Sequence, residues 1–146
     1  MRAYHTAVNL LSRREHSTTE LRRKLTGQGL DDSELDKVLA RLTRDKLLSD
    51  ERFVESFIQS RVSKGVGPLL IQAQLHERGI DSMLSAEFLD THARQWRELA
   101  QTAQRKRFGE TLPQNYTERA KQMRFLQQRG FTMEQINAAF KPNEDD

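Results

Sequence analysis

Leu25-Thr26-Gly27-Gln28-Gly29-Leu30, Leu75-His76-Glu77-Arg78-Gly79-Ile80 and Leu126-Gln127-Gln128-Arg129-Gly130-Phe131 are one pattern written three times, at intervals of 50 and 51 residues. Each copy reads as the end of a helix. A leucine faces the core, glycine takes the left-handed stop position, and an apolar residue seals the corner. Leu39, Leu89 and Phe140 each stand nine residues beyond that apolar residue, so the register continues into a following helix. A recurrence near 50 residues indicates tandem helical units, each too small to close a core alone, stacked in an elongated curved array. The expected division is residues 1–48, 49–92 and 93–146, with three helices in each unit.

Composition agrees with an all-α fold. The chain has 18 leucines against nine valines and isoleucines together, and β-branched residues favour strands. No apolar run is long enough to span a bilayer, and Met1-Arg2-Ala3-Tyr4-His5 has no signal-peptide core. Cysteine is absent, which removes disulfides and thiolate chemistry.

Within the first unit a helix is expected from Ala3 to Arg13, with Val8 and Leu11 inward. Ser17-Thr18-Thr19-Glu20 is a capping box opening a second helix that carries Leu21 and Leu25 and stops at Gly29. Asp31-Asp32-Ser33 starts a third, with Leu35, Val38, Leu39 and Leu42 at helical spacing. The second unit opens at Ser49-Asp50-Glu51 and presents Phe53, Val54, Phe57 and Ile58. Gly65-Val66-Gly67 interrupts it, and Pro68 suits the first turn of the next helix. The third unit begins near Ala93 with Trp96, Leu99, Ala100 and Ala103. It ends with a helix over Thr132 to Phe140, stopped by Pro142, and the acidic tail Glu144-Asp145-Asp146 is expected to be disordered.

The residues do not assemble catalytic chemistry. His5, His16, His76 and His92 lack metal-ligand spacing and are read as surface residues. Gly65-x-Gly67 precedes proline and follows a helix, so it reads as a helix stop and start, not as a phosphate loop. Carboxylates gather at helix starts, where capping accounts for them. No enzyme activity and no cofactor is expected.

Charge is the remaining signal. Residues 1–48 and 93–146 each carry ten basic and seven acidic residues, while residues 49–92 carry four and seven. Basic ends flanking an acidic middle suit a polyanion or a charge-patterned protein surface. The clusters are Arg13-Arg14, Arg22-Arg23-Lys24, Arg61 with Lys64, Arg105-Lys106-Arg107, and Lys121 with Arg124 and Arg129. Arg23 and Arg124 are equivalent in the repeat, but Ala73 stands between them, so a continuous stripe is interrupted. Most phenylalanines fall on core faces, which leaves phosphate contact or an acidic protein groove as the targets and not base recognition.

Three stretches resemble a known family. They are His16-Ser17-x-x-Glu20-Leu21-Arg22-x-Lys24-Leu25, the long run from Asp50 through Phe53, Phe57, Arg61 and Lys64-Gly65-x-Gly67-Pro68 to Gly79-Ile80, and Lys121-x-x-Arg124-Phe125-Leu126-x-x-Arg129-Gly130-Phe131. Together they resemble the RecX family, bacterial regulators of the RecA recombinase, over nearly the whole chain. The resemblance implies a cytoplasmic, monomeric, non-enzymatic protein of three helix-turn-helix-like repeats. It implies binding to the RecA–DNA filament and inhibition of RecA ATPase, strand exchange and filament extension; the charge pattern adds an expected weak, sequence-nonspecific DNA contact. Leu21, Leu25, Phe53, Phe57, Ile71, Leu75, Gly79 and Phe125 then read as core or corner. Arg22, Lys24, Arg61, Lys64, Arg124 and Arg129 read as partner contacts, joined by Arg105, Lys106, Arg107 and Lys121 from the basic clusters. A sequence-nonspecific DNA-binding helical module and a helical scaffold for an acidic protein are the competing readings. End capping, groove binding and disassembly of the filament are all compatible with the sequence.

Overall fold

The computed structural model describes residues 2–141, which form nine helices and no strand. The first unit holds α1 (Arg2–Arg13), α2 (Thr18–Leu25) and α3 (Asp32–Arg44). The second holds α4 (Asp50–Ser63), α5 (Pro68–Glu77) and α6 (Ser82–Asp90), and the third α7 (Trp96–Phe108), α8 (Tyr116–Gln128) and α9 (Met133–Ala139). Pro142 and the acidic tail lie outside the described residues.

Local chemistry sets most helix starts. Ser17 and Glu20 form a reciprocal capping box on α2, as do Asp31 with Glu34 on α3 and Thr132 with Gln135 on α9. Each box satisfies backbone donors that the first helical turn cannot pair internally. Ser49 caps α4, and Pro68 sits at the start of α5, where its missing N–H costs nothing. Asp50 does not serve α4 alone. Its Oδ1 accepts the Thr18 N–H at 2.7 Å and the Thr18 hydroxyl at 3.1 Å, so a carboxylate at one helix start helps tie down another.

The three repeated corners differ. Gly79 and Gly130 hold φ of +78° and +98°, and the following Ile80 and Phe131 are buried. In the first copy α2 ends at Leu25, not at Gly29 as expected. Thr26 is extended, both Gly27 and Gly29 have positive φ, and Leu30 is only half-buried. The first corner faces solvent, so nothing packs its last turn into helix.

Burial divides the chain unevenly. Leu21, Leu25, Leu35, Leu39 and Leu42 form one core with Ala7 and Leu48. The first unit thus closes a core of its own, against the expectation that no unit does. In α1 the buried face is Ala3 and Ala7, with Val8 and Leu11 only half-buried beside it. A second, larger core runs through both remaining units, from Phe53, Ile58, Ile71 and Leu75 to Trp96, Leu126, Phe131 and Ile136. Helix α7 packs on α8 and α9. Its buried polar faces are matched, since Gln104 Nε2 donates to Gln122 Oε1 at 2.8 Å.

Two joints connect the units, and they occupy the same place in the repeat. At the first, the Ser17 hydroxyl donates to the Arg78 carbonyl at 2.8 Å, Arg52 pairs with Glu15 at 3.0 Å, and Gly79 lies against Thr19. At the second, the Gly67 N–H donates to the Arg129 carbonyl at 2.6 Å and the Leu69 N–H to the Gly130 carbonyl at 2.9 Å. A β-carbon on Gly67 would stand 2.5 Å from the Gly130 carbonyl carbon. Side chains make the first joint, whereas bare backbones touch at the second.

Candidate partner-binding site

The second joint builds a basic cavity. After α4 ends, Lys64 and Gly65 turn the chain back, with Gly65 at φ +78°. Arg129, at the end of α8, reaches across and donates from Nη2 to the Lys64 carbonyl at 2.6 Å. The last turn of α7 brings Lys106 and Arg107 to the same place, favoured there by the negative end of the helix dipole. The cavity between these three helix ends has a volume of about 440 Å³ and an apolar floor that includes Val62, Leu99 and Phe125. Lys64, Lys106, Arg107 and Arg129 stand around it, and no carboxylate lines it. A second cavity, of about 490 Å³, is bordered by Trp96 and Leu69 but carries Asp90 and Glu134 as well as Arg97, so its charges are mixed.

The cations around the basic cavity take part in no ion pair among the described residues. Among the described residues the ion pairs are Arg14–Glu20, Arg22–Asp36, Arg41–Asp45, Arg52–Glu15 and Arg78–Glu20. All involve the first unit, and none holds Lys64, Lys106, Arg107 or Arg129. The Arg129 Nε is buried without an acceptor, and the guanidinium carbon lies 5.8 Å from the Phe125 ring centre. Phe125 itself is half-buried and meets Phe108 edge-on with centroids 5.3 Å apart. It packs against the shared core, as the sequence leads one to expect, and the assembled fold shows that it also lines the cavity.

The remaining sequence-selected cations are scattered. Arg22 on α2 is paired with Asp36 on α3, and so its charge is locally balanced. Lys24 donates from Nζ to His16 Nε2 at 2.9 Å. Arg61 is half-buried against Phe57, whose ring also receives Arg78, each guanidinium carbon 4.8 Å from the ring centre. Arg105 and Arg124 are exposed. Lys121 is exposed too, 6.0 Å from the Phe108 ring centre.

His16 departs from the expected surface position. It is 1% exposed, beneath the joint between the first two units. Its Nδ1 lies 3.1 Å from the Arg14 carbonyl, so the ring that donates there presents Nε2 as the acceptor for Lys24. Burial pushes the His16 pKa down, and the Arg14 and Lys24 charges add to that shift against a smaller opposing effect of the Arg14 carbonyl and Glu20. Beside it, burial raises the Glu20 carboxyl, but hydrogen bonds from Arg14 and the Ser17 N–H outweigh this and hold it below its ordinary value. The His16-Ser17-x-x-Glu20 stretch is therefore joint chemistry.

Among the described residues no group of His, Asp and Glu could hold a metal ion, and no helix is long and apolar enough to cross a membrane.

Comparison with known proteins places this architecture. Family models described as the first, second and third three-helix domains of RecX match residues 3–42, 49–89 and 95–140. The chain is 39% identical over 140 residues to the regulatory protein RecX of Stenotrophomonas maltophilia (strain K279a), covering 96% of this chain and 86% of that one. It is 38% identical over 140 residues to the regulatory protein RecX of Halorhodospira halophila, covering 96% and 87%. A crystal structure of RecX from Lactobacillus salivarius superposes with a TM-score of 0.82 at 21% identity, covering 94% of this chain and 92% of that one. That last likeness is one of fold.

Proposed function

This chain belongs to the RecX family, and on that premise we propose that it regulates the RecA recombinase by binding the RecA–DNA filament. Bound there, it restrains ATP turnover, strand exchange and filament extension. The observation that carries the reading is the ordered match of all three RecX domain models along the chain. The absence of carboxylates around Lys64, Lys106, Arg107 and Arg129 supports it, because cations without acidic partners remain available to an acidic surface. The protein acts in this reading by occupancy alone, as a monomer without a cofactor, in the cytoplasm where the filament forms. Arg22, Lys24, Arg61, Arg105, Lys121 and Arg124 belong to the same proposed contact set, with Arg22 the weakest member because Asp36 already engages it.

The same cations also favour a weak, sequence-nonspecific contact with DNA. Duplex affinity is then expected to fall by roughly 0.9 log units per neutralised phosphate for each tenfold rise in salt. One experiment separates the two readings. ATP turnover by DNA-bound RecA is measured as this protein is added, with free DNA in excess as competitor. Slowed turnover that persists against the competitor supports filament regulation. Turnover that is unchanged at saturation sinks it.

A further inference from the structure

We propose that the basic cavity between the ends of α4, α7 and α8 receives an acidic peptide segment of the partner protein. One apolar side chain of that segment rests on the floor, and flanking carboxylates meet the cations at the rim. The inference rests on the proposed function for the identity of the partner, but not for the chemistry of the site.

The cavity's shape and charge select this occupant. A volume of about 440 Å³ falls within the range of sites that enclose a small group, roughly 300–1,000 Å³. Its floor contains Val62 and Leu99, which reward an apolar side chain removed from water. Lys64, Lys106, Arg107 and Arg129 stand at the C-terminal ends of three different helices, so they surround one point and do not form a track along a surface. A planar carboxylate matches the guanidinium of Arg107, with two parallel N–H donors available to two oxygens. The Arg129 Nη2 is committed to the Lys64 carbonyl, which fixes that guanidinium in place before any ligand arrives. A preorganised cation loses less side-chain freedom on binding.

A nucleic-acid strand fits this site poorly. Strand binding draws on open aromatic faces for base stacking. Phe125 meets Phe108 through an edge-to-face contact on one side and carries Arg129 on another. The other floor residues named above are aliphatic.

The test uses the full chain and a short fluorescein-labelled peptide with aspartates and glutamates on both sides of one phenylalanine, followed by fluorescence anisotropy. Binding is expected to saturate. Affinity is expected to fall about tenfold or more when the phenylalanine becomes serine, and likewise when the acids become their amides. A Lys106→Glu, Arg107→Glu variant is expected to show a similar loss, and a Lys106→Gln, Arg107→Gln variant a smaller one. A Lys37→Glu, Arg44→Glu control on exposed α3 positions is expected to bind as wild type, with melting temperatures recorded for all variants. No peptide binding, or binding indifferent to residues 106 and 107, overturns the inference. So does tighter binding of an oligothymidylate that the Lys106 and Arg107 changes abolish, which would assign the cavity to phosphate. RecA turnover is measured with the same proteins. Wild type that takes the peptide as described but leaves RecA turnover untouched upholds the acidic-peptide site and sinks the RecA reading. Wild type that slows RecA, matched by an equally effective Lys106→Glu, Arg107→Glu variant, keeps the RecA reading and removes the cavity from the interface.

Discussion

The first unit and the pair formed by the second and third units begin from the same repeated pattern but close in different ways. The first unit gathers leucines into a core of its own and ties itself to its neighbour through Ser17, Thr18, Asp50, Glu15 and Arg52. The other two share one core around Trp96 and Leu126. Residue 17 is serine where residue 67 is glycine, at equivalent places in the repeat. Serine supplies a hydroxyl and makes a polar joint. Glycine supplies nothing, so two backbones approach until their N–H and carbonyl groups bond directly, and the apolar interiors behind them merge. The cations follow the same division. Every ion pair among the described residues draws on the first unit, which pairs its own Arg14, Arg22 and Arg41, while the cations at the Gly67–Gly130 joint surround a cavity that no carboxylate lines.

The most severe way to break this comparison is to truncate each core in turn. Leu126→Ala and Leu21→Ala each remove a fully buried side chain and should each cost about 2–5 kcal/mol, a large share of a typical stability of about 5–15 kcal/mol. Their signatures should differ. Trp96, the single tryptophan, lies in the shared core. In urea, Leu126→Ala should move the Trp96 fluorescence transition to lower denaturant. Leu21→Ala should advance the loss of helical circular dichroism and leave Trp96 fluorescence nearer its original midpoint. Coincident transitions in both variants would show that the two cores unfold as one, and the division would lose its energetic meaning.

Glycine substitution sharpens the comparison at the corners. Gly29 and Gly130 share positive φ, at +80° and +98°. A β-carbon on Gly29 meets nothing within 4 Å, whereas one on Gly130 lies 2.5 Å from the Leu70 Cβ. Gly29→Ala should therefore cost only the left-handed strain, about 1 kcal/mol. Gly130→Ala adds a steric overlap inside the joint and should cost about 2–4 kcal/mol. Equal shifts in urea midpoint would show that the second joint yields without resistance.

The smallest expected effect is pH dependence at the polar joint. His16 is held neutral in the fold, so its folded pKa lies below the ordinary value of 6.5. The unfolded chain then binds the extra proton first. Stability should be full above pH 6.5 and decline as pH falls from there toward the folded pKa. The depressed Glu20 carboxyl acts with the same sign in the acid range, contributing above its ordinary value of 4.5 and losing that contribution below it. Melting temperature measured between neutral and mildly acid pH should fall in wild type and fall less in His16→Gln. Identical slopes in the two proteins would remove His16 from the account.

Much of this organisation was legible in the residues. Helix stops at Gly79 and Gly130, the capping box at Ser17, the helix start at Asp31, and the inward register of Leu39, Leu89 and Phe140 depend on neighbours within a turn or two of the same helix. Such rules act over a few residues and survive without tertiary context. The errors share one cause. The surface expected for His16 and the extension of α2 to Gly29 both fail, because each depends on what an adjoining unit does or does not offer at that place.

The candidate site divides along the same line. That Lys64, Lys106, Arg107 and Arg129 are basic and stand near helix ends follows from their order in the chain. That they meet around one apolar floor, while Arg22 is paired with Asp36 on the next helix, follows only from packing. The sequence by itself determined nine helix segments and their grouping in threes, since hydrophobic period and capping are local. Tertiary structure alone decided which units share a core and which cations remain without acids, since both depend on how closely two backbones far apart in sequence can approach.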